Sequence, residues 1–311
     1  MMFPGPPVNS DLVTEFNRWW KQNQTRSLAL IWRRRSVWWA QVLQRLGFHV
    51  ETSVPLFFGA RMRVVTGETV SSALLAFGYS EVAVTILMLS LLSEGDTMVD
   101  VGTHFGYEAL LGSHLVGSTG QVICFEPSPR AFAIASQNLG HLKQVSLHKV
   151  AIADSVGQAS LQNRSIGQSA LNSLVEAGTE QDSVEVPITT LDAALAGRKR
   201  PVNFLKCDAE GSELAVLKGA HDILVRDSPV MVLEADMPSI KGEPSARACE
   251  LVNYLENYNY RAFSFDFDQG LKVGRFGSFP TYHANVAFVP SARVPNGTSE
   301  SVTHESPVSV L

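Results

Sequence analysis

A chain of 311 residues that is 45% hydrophobic and 18% charged has the composition of a packed protein, which excludes a disordered one. Its net charge of −5 excludes a general nucleic-acid binder. The charge is uneven: residues 1–60 hold seven basic side chains (Arg18, Lys21, Arg26, Arg33, Arg34, Arg35, Arg45) against three acids (Asp11, Glu15, Glu51), a balance of +4 that leaves −9 for the remainder.

All five Trp (Trp19, Trp20, Trp32, Trp38, Trp39) lie in that basic arm. Cys124, Cys207 and Cys249 are far apart, with no CxxC and no Cys/His metal spacing. An odd, sparse count points to free thiols in a reducing compartment, and so to the cytoplasm. The start, MMFPGPPVNSDL, lacks the basic and apolar regions of a secretory signal. The longest apolar run, Val82 to Leu92, is interrupted by Thr85 and Ser90 and is too short to span a bilayer.

From Asp11 to about Gly47 the apolar residues recur at roughly helical spacing. Short alternating runs around PLFFGARMRVV predict a small strand pair between Val50 and Val65. Gly78 to Leu92 reads as a helix, closed by SEGD. TMVDVG is a buried strand with its turn, Phe105 to Leu115 a helix, and QVICFEP a second buried strand ending on an acid. Ser128 is placed to cap a helix whose first residue is Pro129. VSLHKVAI reads as a third strand, and the polar stretch from Ser165 to Asp182 as a loop or lid. VEVPI, VNFLKCDAEG and VMVLEAD are further strands, with a short helix at TTLDAAL and one or two between Ser212 and Arg226. A helix from Ala246 to Asn257 precedes the strands RAFSFDF and ANVAFVP. Ser291 to Leu311 is polar, Ser/Thr-rich and predicted to be disordered.

Buried strands alternating with helices predict an α/β fold: a parallel sheet with helices on both faces. Ligands of such sheets bind at the carboxyl ends of the strands. Each chemistry-bearing motif lies at such an end. Asp100-Val-Gly102-Thr-His104-Phe-Gly106 has the spacing D-x-G-x-x-x-G. Gly102 lets backbone approach a ligand, and Gly106 lets the following helix pack closely. A nicotinamide enzyme wants G-x-G-x-x-G, because its pyrophosphate sits on the helix N-terminus. S-adenosylmethionine has no phosphate and offers a carboxylate, an ammonium and a sulfonium, so an acid at the strand end suits it.

Glu126, ending the next strand, is positioned to accept both ribose hydroxyls of an adenosine, a role that dehydrogenases share. Lys206-Cys-Asp208-Ala-Glu210-Gly-Ser-Glu213 puts Lys206 and Asp208 on one strand face, with Asp208 beside the crevice. Glu210 and Glu213 open the next helix, where acids also suit the helix dipole. Glu234 and Asp236 end VMVLEAD; beside Asp208, such an acid makes a carboxylate pair able to hold a divalent metal or take a proton from an alcohol. Solvated strand-end acids are the bland alternative. Of the isolated histidines His104, His148 and His283, only His104 lies in the cofactor loop.

Together these residues resemble the FkbM family of S-adenosylmethionine-dependent methyltransferases, over about Gly78 to Pro290. The matching pieces are GYSEVAVTILMLSLLSEGDTMVDVGTHFGYEALL, VICFEPSPRAF, KVAIADSVGQASL, VEVPITTLDAAL, FLKCDAEGSELAVLKGA and NVAFVP, in the family's order. The resemblance implies a Rossmann-like class I methyltransferase fold with a mostly parallel seven-stranded sheet, and O-methylation of a hydroxyl on a sugar or natural-product small molecule. It implies cofactor contacts at Asp100, Gly102, Glu126 and the region from Ala151 to Asp154. Glu81, His104, Gly106, Tyr107, Pro127, Ser128 and Asp208 complete the candidate cofactor set. His104 departs from the family, which usually has Asn there.

Asp208, Glu234, Lys206 and Glu210 are the candidate catalytic groups, with Asp208 and Glu234 as base or as ligands of a weak Mg²⁺ site. Two alternatives stand beside this reading: a nicotinamide-dependent oxidoreductase, and a cofactor-binding scaffold without turnover. Residues 1–77 are read as an arm with a strand pair, 78–290 as the methyltransferase domain and 291–311 as a tail. The arm has three readings: a cap on the domain, a homodimer contact, or a membrane-surface helix. The spread of Trp and Arg around the helix favours an arm folded onto the protein, so membrane contact is not expected.

Overall fold

The computed structural model describes residues 9–24, 38–39, 42, 48–162, 174–175, 183–235, 245–266, 272–276, 285–294 and 301–303. The first helix, α1 (Ser10–Gln24), buries Val13 and Phe16 and packs Trp20 against the core, positions that share one helical face. Phe16 is fully buried, with edge-to-face contacts to Phe57 (5.1 Å) and Tyr79 (5.2 Å). The Asn9 side chain donates to the carbonyls of Leu92 (2.9 Å) and Leu89 (3.3 Å), and that of Asn23 to Phe77 (3.2 Å). Helix α1 is therefore docked on the body of the α/β fold. Most of the arm beyond it lies outside the described residues; Trp38 and Trp39 are helical and exposed.

The strand pair is present as an antiparallel hairpin, β1 (Glu51–Pro55) and β2 (Arg61–Val65). The helix expected from Gly78 to Leu92 is present as α3 (Val82–Leu91), and a helix that the sequence pattern did not mark, α2 (Thr69–Phe77), precedes it at an angle of 68°. Glu68 caps α2 through the N–H groups of Val70 and Ser71, and Gly78 ends it at φ +75. A Cβ at Gly78 would lie 2.1 Å from the Trp19 ring, so the break makes room for the docked arm. Val54, Met62, Val64 and Leu74 share one core with Leu87, Leu110 and Val122, so no packing boundary falls at Gly78.

The chain then runs β3 (Thr97–Val101), α4 (Tyr107–Val116), β4 (Gln121–Phe125), α5 (Pro129–Leu139) and β5 (Val145–His148). Four strands of a smaller sheet follow: β6 (Ala151–Ile152), β7 (Gly157–Gln162), β8 (Leu174–Val175) and β9 (Ser183–Thr189), in the order β6-β9-β7-β8. VSLHKVAI is thus not one strand: it leaves the main sheet at His148 and pairs with β9 from Ala151. The lid expected at Ser165–Asp182 lies outside the described residues except for β8.

After α6 (Leu191–Ala194) come β10 (Phe204–Cys207), α7 (Glu213–Lys218), α8 (His221–Arg226), β11 (Val230–Glu234), α9 (Ala246–Glu256), β12 (Tyr260–Asp266), β13 (Lys272–Arg275), β14 (Asn285–Pro290) and β15 (Ser301–Thr303). The main sheet is ordered β15-β13-β12-β14-β11-β10-β3-β4-β5. Strands β5, β4, β3, β10 and β11 are parallel, and β14 and β12 complete the seven expected. Antiparallel β13 and β15 enlarge it to nine, and β15 lies in the stretch expected to be without structure.

One core packs α1 to α5 on one face, and a second packs α7, α8 and α9 on the other, giving the Rossmann-like, class I arrangement. From β3 the chain winds outward to β4 and β5, then returns to β10 on β3's other side. The crevice at the carboxyl ends of β3 and β10 is the topological switch point, where such sheets bind ligands. Among the described residues no single helix is long and apolar enough to cross a membrane.

Candidate active site

A cleft of about 190 Å³ opens at that switch point. Its β3 wall is the turn from Gly102 to Gly106. Gly102 (φ +78) and Gly106 (φ +95) hold left-handed backbone, which glycine adopts without strain. A Cβ at Gly106 would lie 2.9 Å from Leu139, so the glycine makes room for α5. His104 is left-handed as well (φ +51), and Asn and His are the side chains that tolerate that region. Its departure from the family's Asn therefore preserves the turn. The His104 ring stacks on Phe105 with centroids 3.9 Å apart, and burial lowers its pKa.

Glu126 lines the cleft at the end of β4. Its Oε2 accepts the His104 N–H at 2.7 Å and its Oε1 the Ser128 N–H at 2.9 Å. Each oxygen keeps a lone pair for a ligand hydroxyl. Burial pushes the carboxyl up to about 7, against the pull of those two N–H groups. Ser128 itself caps α5, so it serves the site through its N–H. Pro127 and Ala151 also line the cleft. Asp154 does not: it is exposed.

Asp100 lies beneath the floor, fully buried, and neither of its carboxylate oxygens has a hydrogen-bond partner among the described residues. It faces Lys206, 4.0 Å away. Lys206 is only 3% exposed and also lies 3.3 Å from Asp208 Oδ2. Burial alone lowers an ammonium's pKa, but Asp208, Glu108, Asp100 and Glu81 outweigh it and raise that of Lys206.

On the β10–β11 side, Asp208, Glu210 and Glu234 are half-buried, with one carboxylate oxygen from each lying within 4.8 Å of the others. Burial, then the charges of Asp208 and Glu210, push Glu234 up to about 9, and it hydrogen-bonds to Asp208. Burial pushes Glu210 up to about 7. The cluster thus holds protons at neutral pH that solvated acids would have lost.

Glu81, in a left-handed turn (φ +38), also reaches the cleft. Burial lifts it to about 7, and the Asn285 side chain donates to it at 3.4 Å. The Tyr107 hydroxyl is tied to Thr85 Oγ1 at 3.1 Å, which leaves its ring to line the cleft. Sequence reasoning missed Glu108, a buried acid in α4 that lines the cleft and is pushed by burial to about 8. Its signal was an acid in an otherwise apolar turn directly after the cofactor loop. Met62 and Val70 reach the cleft from the hairpin and α2, and nothing in the sequence pattern marked them. Asp236 and His283 lie outside the described residues, and His148 is exposed on β5.

Residues 100–262, more than half of the chain, match the Methyltransferase FkbM domain. The chain belongs to the FkbM methyltransferase family.

Solved structures give weaker likenesses. The FkbM methyltransferase of Methylobacillus flagellatus KT shares 15% identity, with 63% of this chain and 44% of that one covered and a TM-score of 0.42. Aeropyrum pernix fibrillarin, with natively bound S-adenosyl-L-methionine, shares 15% identity over 66% and 72% of the two chains at a TM-score of 0.40. The S-adenosylmethionine-dependent O-methyltransferase of Thermotoga maritima shares 13% over 76% of each at 0.34. This FkbM family member spans less than half the length of its M. flagellatus relative. No curated protein matches it.

Proposed function

We propose that this FkbM family member transfers the methyl group of S-adenosylmethionine to a hydroxyl oxygen of a sugar or natural-product-like small molecule. The observation that carries the reading is the meeting of two sets of groups in one cleft: the Gly102–Gly106 turn with Glu126, and the Asp208, Glu210 and Glu234 carboxylates with Lys206. An acid-lined cleft without a G-x-G-x-x-G turn suits a ligand bearing an ammonium and a sulfonium better than a dinucleotide. When bound, the cofactor supplies an electrophilic methyl group on positively charged sulfur.

The chain's own residues position and deprotonate. Glu126 accepts the ribose hydroxyls. Asp208, beside the Lys206 ammonium, accepts the proton of the attacking hydroxyl, which is a poor nucleophile while it keeps that proton. Glu234, protonated at neutral pH, donates to Asp208 and fixes its orientation. Holding the two reactants in line supplies roughly 7–11 kcal/mol of the barrier.

A second reading has the three carboxylates hold Mg²⁺, which their mutual spacing and oxygen chemistry favour. The Lys206 ammonium, 3.3 Å from Asp208, competes for the same charge. Calorimetry with S-adenosylhomocysteine, then incubation with S-adenosylmethionine and a panel of glycosides and alcohols, tests the proposal. Micromolar binding and release of S-adenosylhomocysteine are expected. Binding of NAD in its place overturns the proposal in favour of an oxidoreductase, and binding without turnover leaves a cofactor-binding scaffold. The acceptor is a small molecule, with no nucleic acid or membrane partner.

A further inference from the structure

The loop from Asp208 to Ser212 carries two of the three clustered carboxylates, yet the residue that shapes it does not reach the cleft. Glu213, the first residue of α7, is fully buried. Its Oε1 accepts the N–H of Ala209 at 2.8 Å and that of Gly211 at 3.4 Å. Its Oε2 is paired with the guanidinium of Arg247, in the first turn of α9. An acid opening a helix ordinarily complements the dipole. Here the carboxylate turns back into the preceding loop.

Three further contacts give this arrangement a consequence. Glu210 (φ +46) and Gly211 (φ +106) are consecutive left-handed residues, a conformation that Glu holds only when its surroundings enforce it. The Asp208 carbonyl rests against Gly102, so the loop is bounded on its other side by the cofactor turn. The Ser245 hydroxyl donates to the Ala235 carbonyl at 3.2 Å and accepts the Ala248 N–H at 3.0 Å. This ties the start of α9, and with it Arg247, to the residue after Glu234. The Glu213–Arg247 pair thereby links the loop bearing Asp208 and Glu210 to the strand end bearing Glu234.

We propose that Glu213, held by Arg247, is a positioning residue that sets the Asp208 and Glu210 carboxylates in place against Glu234. The proposal rests on the reading of Asp208 as proton acceptor in methyl transfer. The test compares the full-length protein with Glu213→Ala, Glu213→Gln and Arg247→Gln. It measures S-adenosylhomocysteine affinity, amide hydrogen exchange across residues 206–213, and kcat and KM for whichever acceptor the panel reveals.

In Glu213→Ala, kcat falls about 100-fold, as expected for misplaced reacting groups, while acceptor KM and S-adenosylhomocysteine affinity change less than about threefold. Exchange at Ala209 and Gly211 rises at least about tenfold. Glu213→Gln keeps an oxygen for the two N–H groups and recovers most of the lost kcat. A Glu213→Ala kcat within about twofold of wild type, or an affinity loss that tracks kcat, overturns the proposal. If Glu213→Ala does not fold, Arg247→Gln decides: its kcat is expected to fall about tenfold with faster exchange at Ala209 and Gly211, and a kcat within about twofold of wild type overturns the proposal. If wild type methylates nothing on the panel, the reading of the reaction has failed; exchange at 209–211 that Glu213→Ala leaves unchanged then overturns the clamp separately.

Discussion

A side chain at Gly102 would place its Cβ 1.7 Å from the carbonyl oxygen of Asp208. The turn after β3 and the loop after β10 are thus in backbone contact across the switch point, and glycine alone leaves room for it. Gly102→Ala also puts a side chain at φ +78. Both effects act on the cleft, so this substitution is expected to cost about 3 kcal/mol and to abolish S-adenosylhomocysteine binding. Thermal denaturation with calorimetry checks it. An alanine variant that binds normally would show that the loops part without consequence.

If Glu126 holds the ribose as proposed, cofactor affinity depends on pH. Burial raises its carboxyl to about 7, above the value of about 4.3 in an unfolded chain. The raised group contributes stability below about pH 4.3, and that contribution is lost as pH rises through about 7. Ligand binding has the opposite sign, because ribose hydroxyls donate to the ionised form. Affinity for S-adenosylhomocysteine is therefore expected to rise up to about tenfold per pH unit below 7 and to level off above it. Glu126→Gln should bind more weakly and lose that slope. Calorimetry from about pH 5.5 to 8.5 decides it; a wild-type affinity that ignores pH sinks the assignment.

The strand ends were legible because buried parallel strands are continuous apolar runs, and an acid that ends one stands out. Asp100, Glu126, Asp208 and Glu234 were found that way, and all four gather at the switch point. The helix cap at Ser128 follows a local rule that sequence carries well. Helix α2 was missed because its nine residues are few and mix Thr69, Ser71 and Ser72 with apolar positions, which leaves little helical periodicity to mark it. Strand β7, GQASLQ, is polar and half exposed, and its pairing with β9 depends on residues more than twenty positions away. Met62 entered the cleft only through long-range packing, and Asp154, close to the cofactor loops in sequence, turned outward. Glu213 looked like a dipole acid because its partner Arg247 lies 34 residues ahead.

The carboxylate cluster makes unequal demands on its members. Asp208→Asn removes the proposed proton acceptor and should lower kcat about 10²–10⁴-fold with cofactor affinity nearly unchanged. Glu234, pushed up to about 9, is protonated at neutral pH, and Gln imitates a protonated acid. Glu234→Gln should then cost roughly tenfold or less. Full activity in EDTA accompanies this pattern if Asp208 acts as base; activity lost in EDTA and restored by Mg²⁺ supports the metal reading. Full turnover in both variants would remove these two residues from the chemistry.

The docked helix α1 sets the last expectation. Phe16 is buried between Phe57 and Tyr79, and Gly78 gives up its side-chain space to Trp19. Losing an aromatic ring from such a site costs about 3–5 kcal/mol, so Phe16→Ala should lower the melting temperature by many degrees. Phe57 and Tyr79 belong to the core that also holds Met62 and Tyr107, two residues of the cleft wall. A variant lacking residues 1–24 should therefore be destabilised and bind S-adenosylhomocysteine less tightly, while light scattering gives the same mass class as the full chain. A halved mass would instead make the arm a dimer contact. Flotation of the full chain with anionic vesicles, lost on removing residues 1–50, would assign it to a membrane surface. A cap predicts neither, because its apolar face is already covered by its own chain.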